Sequence, residues 1–323
     1  MRSLIVCAAA AALIGTASAQ VLREDFSYPN GTAIPGWTQQ RGVWQVQNGR
    51  ISTTSGSFWS YITKDGLSAT RSVIDGEFFF VGSAVQFTGL TSRHPGGSAD
   101  SDLLMVKIQN NGGVADFDRV FAYERPVALN NFFADIPGGT QSAFCRMITT
   151  ATEFWIETDA DRDGVYELVV PRRPITLPLT GTLVGMNAFQ TSEADNFEFF
   201  DAVLTPQPGA VAQVGQPYVL DLLTPTPLAA WVGLVGLGNT GFAIGSRAIP
   251  VDPDGVAILT FGNPALGLTG VTDANGDAVV SFLIPPLPFL AGFRMFIGAM
   301  TLDGAQPFAI GHISNEQAFV ITP

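Results

Sequence analysis

The densest chemistry in this chain lies in Asp159-Ala160-Asp161-Arg162-Asp163-Gly164-Val165-Tyr166-Glu167. Carboxylates at alternate positions ahead of a glycine converge when such a loop curls, and hard oxygen donors of this kind suit calcium. The spacing is not that of an EF-hand, whose bidentate Glu stands at the twelfth position. Counted from Asp159, that position is Val170. Glu167, at the ninth, is placed to complete a smaller site with Asp159, Asp161 and Asp163. The same residues also make an ordinary polar turn, because Asp hydrogen-bonds to nearby backbone. The flanks, Glu153 to Glu157 and Tyr166 to Val170, alternate as strands, so the segment reads as a β-hairpin with three aspartates at its tip.

A second run, Glu193-Ala194-Asp195-Asn196-Phe197-Glu198, brings three more carboxylates together. In a regular strand Glu193, Asp195, Phe197 and Phe199 share one face and Glu198 takes the other. Histidine is scarce. His94 and His312 stand far apart, which argues against a His-based zinc site, and neither has a nucleophile-elbow partner for a hydrolase triad. The run Gly233 to Gly238 is glycine-spaced but strand-like, not a phosphate loop. Trp37, Trp44, Trp59, Tyr61 and Trp155 offer flat faces to a sugar, and equally the bulk that a sandwich core buries. Alternation puts Trp44 with Val46 towards the core. Trp37 and Trp59, beside turns, are the better ligand contacts, with Arg93 and His94 in the polar loop from Thr91 to Asp102.

The elements that must position these groups are strands. The chain has 323 residues, the length of two ordinary domains, with 35 glycines, 21 prolines and few charges. Short strands joined by Gly/Pro turns give that composition. Met1-Arg2-Ser3, an apolar run from Leu4 to Ile14 and an Ala17-Ser18-Ala19 end have the form of a secretory signal peptide, residues 1–19. Without Arg2 the chain keeps 15 of its 16 basic residues against 28 acidic ones, a formal −13. Such a surface repels nucleic acid and anionic membranes. After cleavage Cys145 is the only cysteine, so no intramolecular disulfide forms, and its apolar neighbours read as a buried strand.

Residues 20–205 read as about a dozen strands with no helical period, punctuated by Asn30-Gly31, Pro35-Gly36, Asn48-Gly49 and Asn110-Asn111-Gly112-Gly113. The strands from 76 to 124 include one at Ala84 to Phe87. Thr205-Pro206-Gln207-Pro208-Gly209 reads as a linker, placed at 206–209. Residues 210–323 carry further strands, among them Leu228 to Leu237, Val256 to Phe261, Ala278 to Ile284 and Arg294 to Leu302, and fit a smaller immunoglobulin-like sandwich. Phe282 to Met300 is apolar, but Pro285, Pro286, Pro288 and Arg294 break it as a membrane span.

Two resemblances sharpen this reading. Asp25-Phe26, Gly36-Trp37 and Gly42-Val43-Trp44-Gln45-Val46-Gln47-Asn48-Gly49-Arg50-Ile51 resemble the opening of laminin-G-like domains of bacterial secreted proteins. Asp195 to Leu204 resembles their closing strand. The resemblance implies a concanavalin A-like jelly roll, a fold that in many cases binds carbohydrate, often with calcium. The second domain resembles a C-terminal module of bacterial secreted proteins through Thr272-Asp273-Ala274-Asn275-Gly276-Asp277-Ala278, Phe282-Leu283-Ile284-Pro285, Leu290-Ala291-Gly292 and Ile313-Ser314-Asn315. It departs from that pattern at Phe296-Ile297-Gly298-Ala299, and no activity travels with it.

Glu193-x-Asp195-x-x-Glu198 also resembles the signature of laminarinase-type glycoside hydrolases, which implies Glu193 as nucleophile, Asp195 as its helper and Glu198 as acid/base. In those enzymes a strand bulge aligns the three acids mid-chain; here the motif closes a domain. The expectation is therefore a secreted, all-β, non-catalytic protein, a concanavalin A-like jelly roll followed by an immunoglobulin-like sandwich. It binds a glycan or another surface polymer, with calcium as the candidate cofactor. A structural or envelope-assembly protein and a retaining glycosidase are the alternatives.

Overall fold

The computed structural model describes residues 22–82, 86–98, 100–110, 116–125, 132–244 and 247–323. The expected signal peptide, the start of the strand expected at 84 and the hairpin turn expected at 111–113 lie outside the described residues. The first domain holds β1 (Leu22–Glu24), β2 (Trp37–Arg41), β3 (Trp44–Gln47), β4 (Arg50–Ser68), β5 (Ser72–Phe79), β6 (Phe87–His94) and β7 (Leu103–Gln109). It continues with β8 (Phe117–Arg125), β9 (Phe132–Thr140), β10 (Ser142–Thr149), β11 (Glu153–Asp159), β12 (Glu167–Pro174) and β13 (Leu183–Phe200).

Strand β13 organises this domain. Its first half, Leu183 to Phe189, pairs with β6 and with the second half of β4. Its second half pairs with β5, from Glu193↔Phe79 to Phe200↔Val73, and with the start of β4. Between the halves Gln190 has φ 66°, and the register with β4 shifts there. One layer is thus β13-β6-β7-β8-β9 and the other β13-β5-β10-β11-β12. Their inner faces meet in one core: Leu90, Leu104, Val106, Ile108, Met186 and Ala188 from the first, Ile74, Phe78, Cys145, Met147, Phe154 and Phe199 from the second. Every pairing between strands in this sheet is antiparallel, as the alternating pattern requires. Cys145 is fully buried there, and burial pushes its thiol far above the usual range.

The second domain is a smaller sandwich. Its strands are β14 (Val203–Pro206), β15 (Pro217–Leu223), β16 (Ala230–Gly236), β17 (Phe242–Ile244), β18 (Arg247–Ile249), β19 (Thr269–Val271), β20 (Asp277–Leu283), β21 (Arg294–Leu302), β22 (Ile310–Ile313) and β23 (Gln317–Val320). One sheet is β14-β15-β20; the other is β19-β16-β21-β22 with β23 on β21. Leu220, Leu222 and Phe282 pack from one side against Trp231, Val235, Ile297 and Phe319 from the other. Two expectations need correcting here. The linker placed at 206–209 begins inside β14, whose residues Val203 to Pro206 pair with Leu223 to Leu220. The strand expected at Val256 to Phe261 is a short helix, α1 (Gly255–Thr260). Asp254 caps it, its carboxylate accepting from the backbone N–H groups of Val256 and Ala257 at 2.7 and 2.9 Å.

The two domains share a third apolar cluster. Val73, Ile148, Trp155 and Phe200 on the outer face of the β5 layer meet Leu234, Ile249, Val251, Phe296, Met300 and Ile313 of the second domain. Beside it, Arg146 is 2% exposed and clamps the domains together. Its Nε and Nη2 donate to the Asp75 carboxylate at 2.9 and 2.8 Å, and its Nη2 and Nη1 donate to Glu316 Oε1 and carbonyl oxygen at 2.7 and 3.1 Å. The Tyr166 ring lies 3.9 Å from the guanidinium carbon.

Candidate functional site

The outer face of the β6 layer is built in cross-strand rows. Side chains directly opposite each other on neighbouring strands lie on one face, so the register gives the surface. The first row runs Trp59, Phe189, Phe87, Gln109, Arg119, Asp135. In the second, Tyr61 pairs with Asn187 and Asn187 with Gly89; further along, Lys107 pairs with Phe121 and Phe121 with Phe133. Met105 and Tyr123 pair in the next row. Gly89 is required: a Cβ there would collide with the Val106 carbonyl oxygen on the neighbouring strand. Through the space it leaves, the Asn187 side-chain amide donates to the carbonyls of Leu90 and Val106 at 2.6 and 3.0 Å.

The result is an aromatic platform. Trp59 and Phe87 stack with centroids 5.9 Å apart, and Phe189 closes the group at 5.7 and 5.4 Å. Across Lys107, Phe121 stacks with Tyr123 at 5.9 Å and lies 5.6 Å from Phe133. Phe133 is 55% exposed; the other five rings are half-buried. Flat apolar rings at a surface, with polar groups set among them, match what the C–H faces of a pyranose need. One end of the platform is pinned by Asp100, which accepts from the Tyr61 hydroxyl at 2.5 Å and from Arg125 Nη2 at 2.9 Å.

Of the residues expected to touch a ligand, Trp59 lies on this platform and the others do not. Trp37 is 7% exposed and sits in the core against Phe26 and Phe197, ring centroids at 5.5 and 4.9 Å. Arg93 is buried, and its Nη2 donates to the carbonyls of Thr70 and Thr150 at 3.0 and 3.1 Å, tying loops together. His94 is fully buried beside Tyr61, and its Nδ1 accepts from the Gly96 backbone N–H at 2.9 Å. Trp44 and Trp155 are in the interior. Lys107, Phe87, Phe121, Tyr123, Phe133 and Phe189 were not singled out by sequence. In β7 the run Leu103-Leu104-Met105-Val106-Lys107-Ile108-Gln109 is buried on both faces, so no alternation marks which residues point outward.

The acidic residues lie on the opposite, outer face of the β5 layer. Asn196 has φ 48°, and the register between β13 and β5 slips between Asp195 and Glu198. This bulge corrects the strand reading: Asp195 pairs with Glu77 and Glu198 with Asp75, and Glu193 pairs with Phe79 on the same face. All three acids therefore point one way, while Ala194, Phe197 and Phe199 enter the core. Arg50 pairs with Glu193 at 2.9 Å and Arg23 with Glu198 at 2.7 Å. Burial pushes Asp195 up to about 6 and Glu198 up to about 8, the latter against the pull of Arg23. Glu198 lines a cleft of about 530 Å³ between the domains, with Asp75, Asp159, Tyr166, Thr240 and Glu316.

Asp159, Asp161 and Asp163 do converge, with ligand atoms within 4.8 Å of one another; Glu167 is exposed and not one of that group. The donors suit calcium in kind. The loop is nonetheless satisfied by its own chain and its neighbour. Asp159 accepts from the backbone N–H groups of Asp163 and Gly164 at 3.1 and 2.9 Å. Asp163 is paired with Arg294 of the second domain, whose Nη2 and Nη1 donate to its carboxylate and carbonyl at 2.6 and 2.7 Å. No helix among the described residues is long and apolar enough to cross a membrane.

No protein family and no curated protein matches this sequence. Among solved structures, the chain is similar to the carbohydrate-binding module CBM66 from Bacillus subtilis at 15% identity and a TM-score of 0.36, covering 52% of this chain and 96% of that one. It is similar to the exoplasmic/lumenal domain of VIP36 in its Ca2+/Man2-bound form at 12% identity and a TM-score of 0.40, covering 56% and 86%. It is also similar to GH43B of the Bacteroides ovatus xyloglucan locus at 15% identity and a TM-score of 0.42, covering 56% and 39%. With TM-scores below 0.5, these likenesses carry no functional argument. By its own strand order and side chains, the chain is an all-β protein of two packed sandwiches, with an aromatic platform on one outer face and an acid-lined cleft behind the other.

Proposed function

We propose that this is an extracellular, non-catalytic carbohydrate-binding protein whose ligand lies along the aromatic platform of Trp59, Phe87, Phe189, Phe121, Tyr123 and Phe133. The observation that carries the reading is the platform itself. Rings fill one outer sheet face where a monomeric sandwich ordinarily presents alternating polar side chains. They pack against one another with interplanar angles of 7° to 56°, so a ligand meets a rigid surface and little ordering entropy is lost on binding. Calcium has no part in this contact, because the Asp159–Asp163 loop lies on the other side of the sandwich.

The test is retention on a panel of soluble polysaccharides, by affinity electrophoresis, with wild type, Phe133→Ser and Trp59→Ala. Phe133 is mostly exposed, so its loss leaves the fold intact. Stacking of one ring contributes about 1 kcal/mol, so each variant is expected to bind about five- to tenfold more weakly. Unchanged retention in both variants sinks the reading.

A specific observation also favours a second reading. The Asn196 bulge puts Glu193, Asp195 and Glu198 on one face, and Glu198 keeps its proton at neutral pH, as a general acid must. In this reading the interdomain cleft cleaves a glycosidic bond. Release of reducing ends from β-glucan by wild type and its loss in Glu198→Gln is the expected result; no release by wild type removes it.

A further inference from the structure

Lys107 stands at the middle of the platform and is 7% exposed. Its ammonium nitrogen lies 4.0 Å from the centroid of Phe87, 4.4 Å from Phe121, 5.1 Å from Tyr123 and 5.9 Å from Trp59. Four ring faces thus hold one cation in place. No carboxylate and no hydrogen-bond acceptor among the described residues pairs with it. The acids nearest in the rows are taken: Asp135 by Arg119 at 3.1 Å, and Asp100 by Arg125 and Tyr61. Ring faces attract the charge but accept no conventional hydrogen bond, so the ammonium's three donors remain to be satisfied. A buried, unpaired lysine is rare in a folded protein, and its expected remedy is an anion.

We propose that Lys107 reads a negative charge on the bound glycan, so that the platform prefers polysaccharides bearing an anionic oxygen group on the sugar ring, a carboxylate or a sulfate ester, over neutral ones. The proposal rests on the carbohydrate reading above and names the class of sugar. The chemistry is charge-assisted hydrogen bonding from a cation largely shielded from water and held between ring faces, so much of the desolvation and ordering cost falls before binding rather than during it. Burial, aided by Arg125, lowers the Lys107 ammonium to about 8, still mostly charged at pH 7. The protein's net charge of −12 opposes an acidic polymer at long range. At 0.15 M salt that repulsion is screened beyond about 8 Å, whereas a desolvated contact is screened much less. An acidic protein with a sheltered cation on this face would thus select for a bound charge without attracting polyanions in general.

The experiment compares dextran, dextran sulfate and sodium polygalacturonate at pH 7 and 0.15 M salt, using wild type, Lys107→Met, Lys107→Arg and Phe133→Ser. Wild type is expected to bind one of the two acidic polymers at least tenfold more tightly than dextran, and which one distinguishes carboxylate from sulfate. Lys107→Met is expected to lose that preference, its ratio of acidic to neutral affinity falling to about one, and Lys107→Arg to keep most of it. Met matches the stem and removes a buried charge, so an unchanged or higher melting temperature checks that the variant is folded. Equal binding of acidic and neutral polymers by wild type, or an acidic preference that survives in Lys107→Met, overturns the proposal and leaves the platform reading standing. Absence of binding to any polymer overturns both.

Discussion

Replacing Arg146 with Met is the sharpest perturbation of the domain interface. Arg146, Asp75 and Glu316 have side chains 2%, 4% and 8% exposed, so the triad is largely shielded from water although Asp75 and Glu316 edge the interdomain cleft. The substitution leaves two carboxylates, one from each domain, without their cation. Asp75 is already raised by burial, against the pull of Arg146, and without that guanidinium it rises further. Breaking a buried ion pair by removing one partner costs about 3–5 kcal/mol. For domains of this size each kcal/mol lowers Tm by roughly 2–4 °C, so the expected fall is on the order of 10 °C. Differential scanning calorimetry and urea midpoints at pH 4 and pH 7.5 make the check. The loss should be larger at pH 7.5, because burial raises the stranded Asp75 carboxyl, which takes up its proton as pH falls and then costs less to bury. The triple variant Asp75→Leu, Arg146→Met, Glu316→Leu should recover most of the stability, since apolar replacement of a whole buried network is often neutral or better. A loss below about 1 kcal/mol in the single variant, or one independent of pH, would refute the view that this triad is desolvated and joins the domains.

Two further outcomes are expected. Glu157 is pushed up to about 7 by burial, against Arg146, and Glu198 up to about 8 by burial, against Arg23. Both keep protons in the folded state that the unfolded chain releases near pH 4.5. Their contribution to stability is therefore complete below pH 4.5 and is lost as pH rises through 7 to 8, so urea midpoints should fall between pH 5 and pH 8.5. A midpoint that rises across that window contradicts the burial of these two groups. At the aspartate loop, Arg294→Gln frees Asp163, and about 5 mM calcium should then raise Tm more in the variant than in wild type, a concentration typical of weak extracellular calcium loops. Equal shifts would mean that Arg294 and the ion do not compete.

Much of the fold is legible in the sequence because strand alternation and Gly/Asn/Asp turns are local. Asn48-Gly49 joins β3 to β4 with both residues at positive φ, as the dipeptide predicts. The aspartates at 159–163 fall at a hairpin tip for the same reason. Val256 to Phe261 misleads because its β-branched and aromatic residues favour a strand, while Asp254 caps a helix there and Thr260 hydrogen-bonds to Val235 on the adjacent strand. Tertiary context overrides propensity at such a short element.

The site was less legible. Trp37 and Trp59 are equivalent as residue types beside turns; packing on the Phe26 and Phe197 rings puts one inside, and the outward row with Phe87 and Phe189 leaves the other at the surface. Glu198 turns to join Glu193 and Asp195 through a single left-handed residue, Asn196, which a period of two does not foresee. Sequence alone therefore determined most of the strands and turns and the all-β architecture, because each depends on neighbours a few residues apart. Which face a charge or ring occupies was decided by the tertiary structure, because it depends on strand register. Lys107 meets its four rings only when β6, β7 and β8 align side by side and β13, from much later in the chain, bridges β6 to β4.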